Sequence, residues 1–266
     1  MNKTSIFFGI IFAWILIEKY KILQYLAQGN MDLEIVYQDA YFVAINKPHG
    51  LLVHRTKLAK DASEFALQIL RNQIGEHVYP CHRLDRKTSG VLLFAKDPES
   101  NKKMQKLFYE TQVQKTYLTI IRGFSENDGI IDYALKREDG VIQEAKTLYR
   151  TIVKTEINLP FLKHATSRYS LLSVSPQTGR MHQIRKHMSH IFHPIIGDRP
   201  HGCNKQNKLF KEKWNMNTMM LHAQSLAFNH PFTKKEIIIK AKISAEFSRT
   251  IRFLKFPIEE KEIVLI

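Results

Sequence analysis

The sequence predicts an α+β protein, a mixed and largely antiparallel sheet that carries a few helices. Two observations lead there. Runs of strand character outnumber runs of helical periodicity, and several follow one another with only a short polar turn between them. The first such pair is 33–37 and 41–46, split by Gln38-Asp39-Ala40 and expected to form a hairpin. The last is 221–230 and 236–241, turned back at Pro231.

The elements between these pairs follow from local pattern. Lys47-Pro48-His49-Gly50 supplies the proline and glycine of a tight bend, after which 51–54 resumes an extended run. Asp61 with Glu64 resembles a capping box. Ala62, Phe65, Ala66, Ile69 and Leu70 then share a face at helical spacing until Gly75. Residues 91–95 form an unbroken apolar run behind Gly90, as in a buried strand. Asp97-Pro98 predicts a helix start with proline in the first turn, and Met104, Leu107, Phe108 and Thr111 supply its apolar stripe. Residues 115–123 are β-rich and stop at Gly123, and 125–140 reads as a polar connection. Strands are predicted at 145–153 and 167–174, on either side of an irregular stretch at Pro160. A turn over 176–179 leads into a helix from Arg180 to Ser189, which 193–198 stops. A basic loop is expected up to Lys213, and a closing helix over 247–254.

Composition narrows the partners. Of 266 residues, 44% are hydrophobic and 24% charged, which suits a globular body with a sizeable core and excludes a disordered chain. Lys and Arg number 40 against 25 Asp and Glu, a surplus of +15 that favours a polyanion, nucleic acid before an anionic membrane. Residues 1–30 contribute only Lys3, Glu18, Lys19 and Lys21, so the surplus belongs to the rest of the chain. The apolar run 6–17 would rise only about 18 Å as a helix, short of the roughly 30 Å hydrocarbon layer. No convincing cleavage site follows it. The expectation is an apolar extension over 1–30, an anchor or a displaced start, before one domain over 31–266. That domain is expected to be cytoplasmic and monomeric. Cys81 and Cys203 are too few for a disulfide framework and suit a reducing compartment.

The densest chemistry lies in Cys81-His82-Arg83-Leu84-Asp85-Arg86-Lys87-Thr88-Ser89-Gly90. Several reaction classes find no support in the chain. No glycine-rich loop precedes a Lys-Ser/Thr pair, no dinucleotide fingerprint follows a strand, and no serine sits in a nucleophile elbow. Cys81 and His82 are adjacent and would point to opposite faces of an extended chain, so Cys81 is expected to be buried and structural. His187, His190 and His193 recur at three-residue steps near His182, but without an acidic partner, and no metal is expected. What remains is Asp85 paired with an arginine. A carboxylate reacts only while ionised and oriented, and a guanidinium secures both. Arg83, Arg180 and Arg185 are the candidates, and Tyr117 offers an aromatic face to stack a base.

Together these pieces resemble the RluA-type pseudouridine synthases, from Met31 to about Ala241. The resemblance rests on Ile45-Asn46-Lys47-Pro48-His49-Gly50, on His82-Arg83-Leu84-Asp85 with Thr88-Ser89-Gly90, and on Lys115-Thr116-Tyr117 leading to Gly123. Gly179-Arg180-Met181-His182-Gln183-Ile184-Arg185, Pro194-Ile195-Ile196-Gly197-Asp198 and Leu221-His222-Ala223 complete it. It implies the pseudouridine synthase catalytic fold with a central RNA-binding cleft and the isomerisation of uridine to pseudouridine in RNA. The implied catalytic set is Asp85 for the bond, Tyr117 for stacking and Arg185 to hold Asp85. Arg83 is implied beside the displaced base, and Arg180, His182, Lys47 and His54 as further RNA or base contacts. Thr88-Ser89-Gly90 is expected to be the turn that fixes Asp85. No cofactor, metal, nucleotide or protein partner is implied. Within the family the likeness points to synthases acting at uridine 65 of tRNA, with ribosomal RNA as the alternative target and a non-catalytic RNA-binding module as the remaining one.

Overall fold

The computed structural model of the chain describes residues 32–54 and 64–258. Its body is a ten-stranded sheet. The strands are β1 (Ile35–Gln38), β2 (Phe42–Lys47), β3 (Tyr79–Pro80), β4 (Ser89–Ala95), β5 (Gln114–Arg122) and β6 (Asp128–Asp132). They continue with β9 (Lys146–Ile157), β10 (Ser167–Pro176), β11 (Leu221–Asn229) and β12 (Glu236–Lys240), while β7 (Leu135–Lys136) and β8 (Ile142–Gln143) pair separately. The order is β1-β2-β4-β11-β5-β10-β9-β6, with β12 added to β11 and β3 to β4. Among the described residues, every pairing between strands of this sheet is antiparallel except β4 against β11. The α+β, mostly antiparallel expectation holds, and so do both terminal hairpins.

Alternation along the strands builds a core on each face. In the first half of the sheet, Val43, Ile45, Leu92 and Phe94 point to one side and Phe42, Ala44, Val91 and Leu93 to the other. Both sides are covered, which is why β4 is buried at every position. In the second half, Leu118, Ile120, Tyr169 and Leu171 face one cluster, while Ile121, Leu172 and Val174 face another. The helices α1 (Ala66–Ile74), α2 (Pro98–Tyr109), α3 (Gln183–His190), α4 (Asn204–Trp214) and α5 (Ala245–Phe253) close these faces. Of these, α3 lies over the Leu172 side, and α4 and α5 over the Leu118 side.

Caps explain several boundaries. Asp97 accepts from Ser100 N–H and Pro98 opens α2, as expected. Ser244 caps α5 through Phe247 N–H, and Gly75 ends α1 in the left-handed region at φ 68°. The capping pair at Asp61 lies outside the described residues, and α1 begins only after Phe65, whose side chain makes no cap. Residues 51–54 contribute a single bridge, Leu52 to Phe65, instead of a strand.

Three further expectations are corrected. The polar stretch 125–140 holds the edge strand β6, which has a glycine and two aspartates and buries only Ile131, so its pattern is nearly silent. The basic loop up to Lys213 is largely a helix, α4. Its lysines face solvent and its buried side is Gln206 and Phe210, with the Phe210 ring edge-on to Trp214. Helix α3 starts at Gln183, because His182 adopts φ 56° and cannot continue a right-handed turn. Among the described residues no helix is long and apolar enough to cross a membrane. The apolar run 6–17 lies outside those residues.

Candidate active site

Asp85 sits just ahead of β4, in a turn closed by the Thr88 N–H donating to the Asp85 carbonyl at 3.0 Å. The turn is therefore 85–88, beginning three residues earlier than expected, and Ser89 and Gly90 already belong to the strand. They make the parallel pairing, Ser89 opposite His222 and Gly90 opposite Ala223. Gly90 has φ 109°, and a Cβ there would lie 2.1 Å from the Ala223 carbonyl oxygen, so only glycine lets the two strands meet. Ser89 Oγ and His222 Nδ1 join across the seam at 2.9 Å. On its other side Ala223 pairs with Tyr117 of β5. The parallel seam thus sets the Asp85 turn and Tyr117 on either side of β11.

A second loop braces the turn. Lys47, at the end of β2, is fully buried, and its ammonium donates to the carbonyls of Pro48 and Leu51 at 2.8 Å and of Arg86 at 3.3 Å. Gly50 N–H donates to the same Arg86 carbonyl at 2.8 Å, and Arg86 Nε returns a bond to the Gly50 carbonyl at 3.0 Å. Burial pushes the Lys47 pKa down to about 7, against the pull of the Asp85 charge. This corrects the expectation of an RNA contact: Lys47 spends its donors on backbone and tethers the turn that carries Asp85.

Arg185 is the arginine bonded to Asp85. Its Nη1 donates to Asp85 Oδ2 at 2.8 Å, while Nε and Nη2 donate to the two carboxylate oxygens of Asp198, each at 2.8 Å. The side chains of Arg185 and Asp198 are 5% and 1% exposed, whereas Asp85 keeps 28%. Burial opposes the guanidinium charge, but the bonds and charges of Asp198 and Asp85 outweigh it and raise the Arg185 pKa. The bidentate grip fixes the guanidinium plane and aims its free edge at Asp85. Asp198 is held in turn by α4: Asn207 accepts from Gly197 N–H at 2.9 Å and donates to the Asp198 carbonyl at 2.7 Å.

Helix α3 presents Arg185 inward because its buried face is largely polar. Gln183 Nε2 donates to the Lys146 carbonyl and Thr147 Oγ1, and His187 bonds Thr147 Oγ1 at 2.8 Å and the Tyr133 carbonyl at 3.0 Å. His190 stacks on the ring of the same Tyr133 at 3.6 Å, while His193 bonds the Arg122 carbonyl at 2.9 Å. His182 lies beside the site, with Nε2 3.8 Å from Asp85 Oδ2 and Nδ1 3.0 Å from Nε2 of His201. Tyr117 is half-buried between two apolar clusters, and burial, then the nearby Asp85 charge, raises its hydroxyl pKa. Arg83 is exposed next to the turn. His54 is half-buried, and its Nδ1 is buried without a hydrogen-bond partner. Arg180 donates to the Glu144 carbonyl at 3.0 Å. Cys81 is buried, which pushes its thiol pKa up.

Asp198 and His201 were not singled out in sequence as site residues. Asp198 stood inside the motif 194–198, but no spacing rule ties it to Arg185. The apolar approach of Ile195, Ile196 and Gly197 was its one local signal.

The chain is similar to known proteins over most of its length. Residues 41–190 match the family described as RNA pseudouridylate synthase. The tRNA pseudouridine synthase C of Vibrio parahaemolyticus is 46% identical over 242 residues, covering 87% of this chain and 98% of that protein. The protein of the same name from Haemophilus influenzae is 43% identical over 228 residues, covering 82% and 95%. Among solved structures, human RNA pseudouridylate synthase domain containing 4 superposes with a TM-score of 0.65 at 25% identity, covering 85% of this chain and 94% of its own. Human RNA pseudouridylate synthase domain containing 1 shares the fold at a TM-score of 0.64 and 24% identity, covering 80% and 84%.

Proposed function

The chain belongs to the RNA pseudouridylate synthase family, and we propose that it isomerises uridine to pseudouridine in tRNA, with uridine 65 the position its sequence likeness points to. The tRNA target rests on relatives named tRNA pseudouridine synthase C that align over nearly their whole length. The observation that carries the chemistry is the chain Asp85–Arg185–Asp198. It presents one oriented carboxylate in a partly open position.

Cleaving the bond between uracil N1 and C1′ of the ribose builds positive charge on the sugar, which a carboxylate stabilises. A hydrolytic glycosidase generally sets a second carboxylate beside the bond to activate water. Here Asp198 is buried and consumed by Arg185, so Asp85 works alone. The detached uracil turns and rebonds to C1′ through C5. The target nucleotide must first leave its stack, at a cost of a few kcal/mol. Tyr117 supplies the ring on which the extruded base rests, and the exposed Arg83 stands next to Asp85, where it can fill the space the base vacates. The +15 surplus favours the phosphate contacts that draw the RNA in.

The test is modification of a tRNA transcript by the full chain and by Asp85→Asn, mapped by carbodiimide-adduct primer extension. The wild type is expected to give a stop at uridine 65. The variant should give none, while still binding tRNA in a gel shift. Undiminished pseudouridine formation by Asp85→Asn would remove Asp85 from its role, and modification of ribosomal RNA in place of tRNA would overturn the target.

A further inference from the structure

We propose that Lys87 and Arg199 together grip a backbone phosphate beside the target uridine. From there the RNA strand continues into a cleft on α4, where Lys208 and Lys211 hold a second phosphate. The proposal rests on the reading of Asp85 as the group that acts on that uridine. It adds the path of the strand on either side of the extruded base.

Two loops meet at the catalytic carboxylate. Arg185 bonds Asp85 on one side and both oxygens of Asp198 on the other, each at 2.8 Å, which fixes turn 85–88 against loop 197–199. Lys87 stands two residues after Asp85, and Arg199 one residue after Asp198. The charges that face Lys87 are Arg199, Asp198, Arg185 and Arg86, three cations against one carboxylate. That carboxylate is already consumed by Arg185. Among the described residues, neither Lys87 nor Arg199 makes a hydrogen bond or an ion pair. Like charges brought together in this way repel, and an anion between them turns the repulsion into attraction. Burial, then the Arg199 charge, lowers the Lys87 pKa, and a bound phosphate would offset that loss.

Arg199 leads onward. With Gly197, Asn207, Lys208, Lys211 and Asn217 it lines a cleft of about 270 Å³. No carboxylate and no aromatic ring is among the residues that line it. Cations and amides suit phosphate oxygens, and without a ring to stack on, the cleft suits backbone and not bases. Its wall is also the brace of the site, because Asn207 accepts from Gly197 N–H and donates to the Asp198 carbonyl. The cleft is thereby held in register with Asp85. Lys208 and Lys211 stand three apart on α4 and share a face. Lys208 pairs with Glu212 at 3.7 Å, with side chains 76% and 63% exposed, a solvated pair that a phosphate displaces at little cost. A lysine-bearing helix face is ordinarily just solvated surface. This one differs in sharing a wall with the brace of Asp85 and in running, through Arg199, to Lys87.

The test is binding of a tRNA transcript to the full chain between about 50 and 200 mM salt, where each phosphate contact contributes about 0.7–0.9 to the slope of log Kd against log salt. Lys87→Gln combined with Arg199→Gln should lower the slope by about that amount, because the two hold one phosphate. Lys208→Gln combined with Lys211→Gln should lower it by about as much, and all four changes by the sum. Arg199→Lys keeps the charge and should keep the slope. A transcript with methylphosphonate in place of one of the two phosphates flanking uridine 65 should bind the wild type with the same reduced slope. The Lys87→Gln, Arg199→Gln chain should lose nothing further from that replacement. An unchanged slope in either pair variant would overturn the proposal and leave the cleft to some other anion, such as an acidic peptide. So would a methylphosphonate loss that adds in full to the loss of the Lys87 and Arg199 variant at both flanking positions. A wild-type chain that binds with these slopes and makes no pseudouridine would overturn the function itself, a separate result read from modification and not from binding.

Discussion

At the scale of single residues, burial decides which ion pair matters. The Lys103–Glu99 pair on the surface of α2 is solvated, and such pairs contribute little. Asp198, 1% exposed against an Arg185 that is 5% exposed, is the opposite case. Removing one partner of a buried pair strands the other charge and costs about 3–5 kcal/mol. Asp198→Asn should therefore lower the free energy of unfolding by an amount in that range, read as a drop in the urea midpoint. It should also reduce turnover, because the Arg185 plane is no longer fixed toward Asp85. Glu99→Gln, measured beside it, should leave the midpoint nearly where it is. Equal effects of the two would show that the Arg185 cluster is not the buried brace described here.

At the scale of elements, the seam between β4 and β11 does what no local pattern announces. It is the sheet's one parallel contact, two residue pairs long, and it joins the hairpin half to the half that carries Tyr117 and α3. Gly90 is its narrowest point. Gly90→Ala combines a left-handed φ with a contact of 2.1 Å to backbone, and should destabilise by about 3 kcal/mol or more. Gly75→Ala meets open space at φ 68° and should cost only the backbone strain, about 1 kcal/mol. Thermal or urea unfolding of the two variants checks the ordering. Activity should fall with Gly90→Ala alone, since only that change moves the Asp85 turn relative to Tyr117.

At the scale of the molecule, its buried bases set the pH range of stability. Burial lowers the pKa values of His49, His82 and His222 to about 4. The unfolded chain takes up these protons near 6.5 and the folded one only near 4. Between those values the unfolded state binds more protons, so stability is full above pH 6.5 and declines as the pH falls toward 4. His222, which is fully buried, accounts for about 3 kcal/mol of that decline. Lys47 has the same sign at higher pH. With its folded pKa near 7 against an ordinary 10.5, it makes stability rise as the pH climbs between the two. Urea midpoints at pH 4.5, 6.5 and 8.5 should therefore increase in that order. His222→Gln should flatten the acid limb, and a midpoint independent of pH would refute the assignment.

Much of this was legible along the chain, for a reason that differs by feature. The two hairpins, the buried run 91–95 and the capped start of α2 depend on neighbours in sequence, so the residues alone determined them. Asp85, Tyr117 and Arg185 stood out as motif residues, and the fold brings Arg185 to Asp85 at 2.8 Å. Helix α4 and strand β6 were not legible, since each fully buries a single apolar residue, Phe210 and Ile131, among positions dominated by polar and charged side chains. Nor could the chain tell that Lys47 turns inward, that Arg180 bonds the Glu144 carbonyl, or that Asp198 and His201 stand behind Arg185 and His182. Those are contacts between distant segments, and their partners are backbone carbonyls as often as side chains. Sequence determined which groups can do the chemistry. The tertiary structure decided which of them are spent on holding the fold and which remain free to act, because only packing removes water from a charge and gives it a single partner.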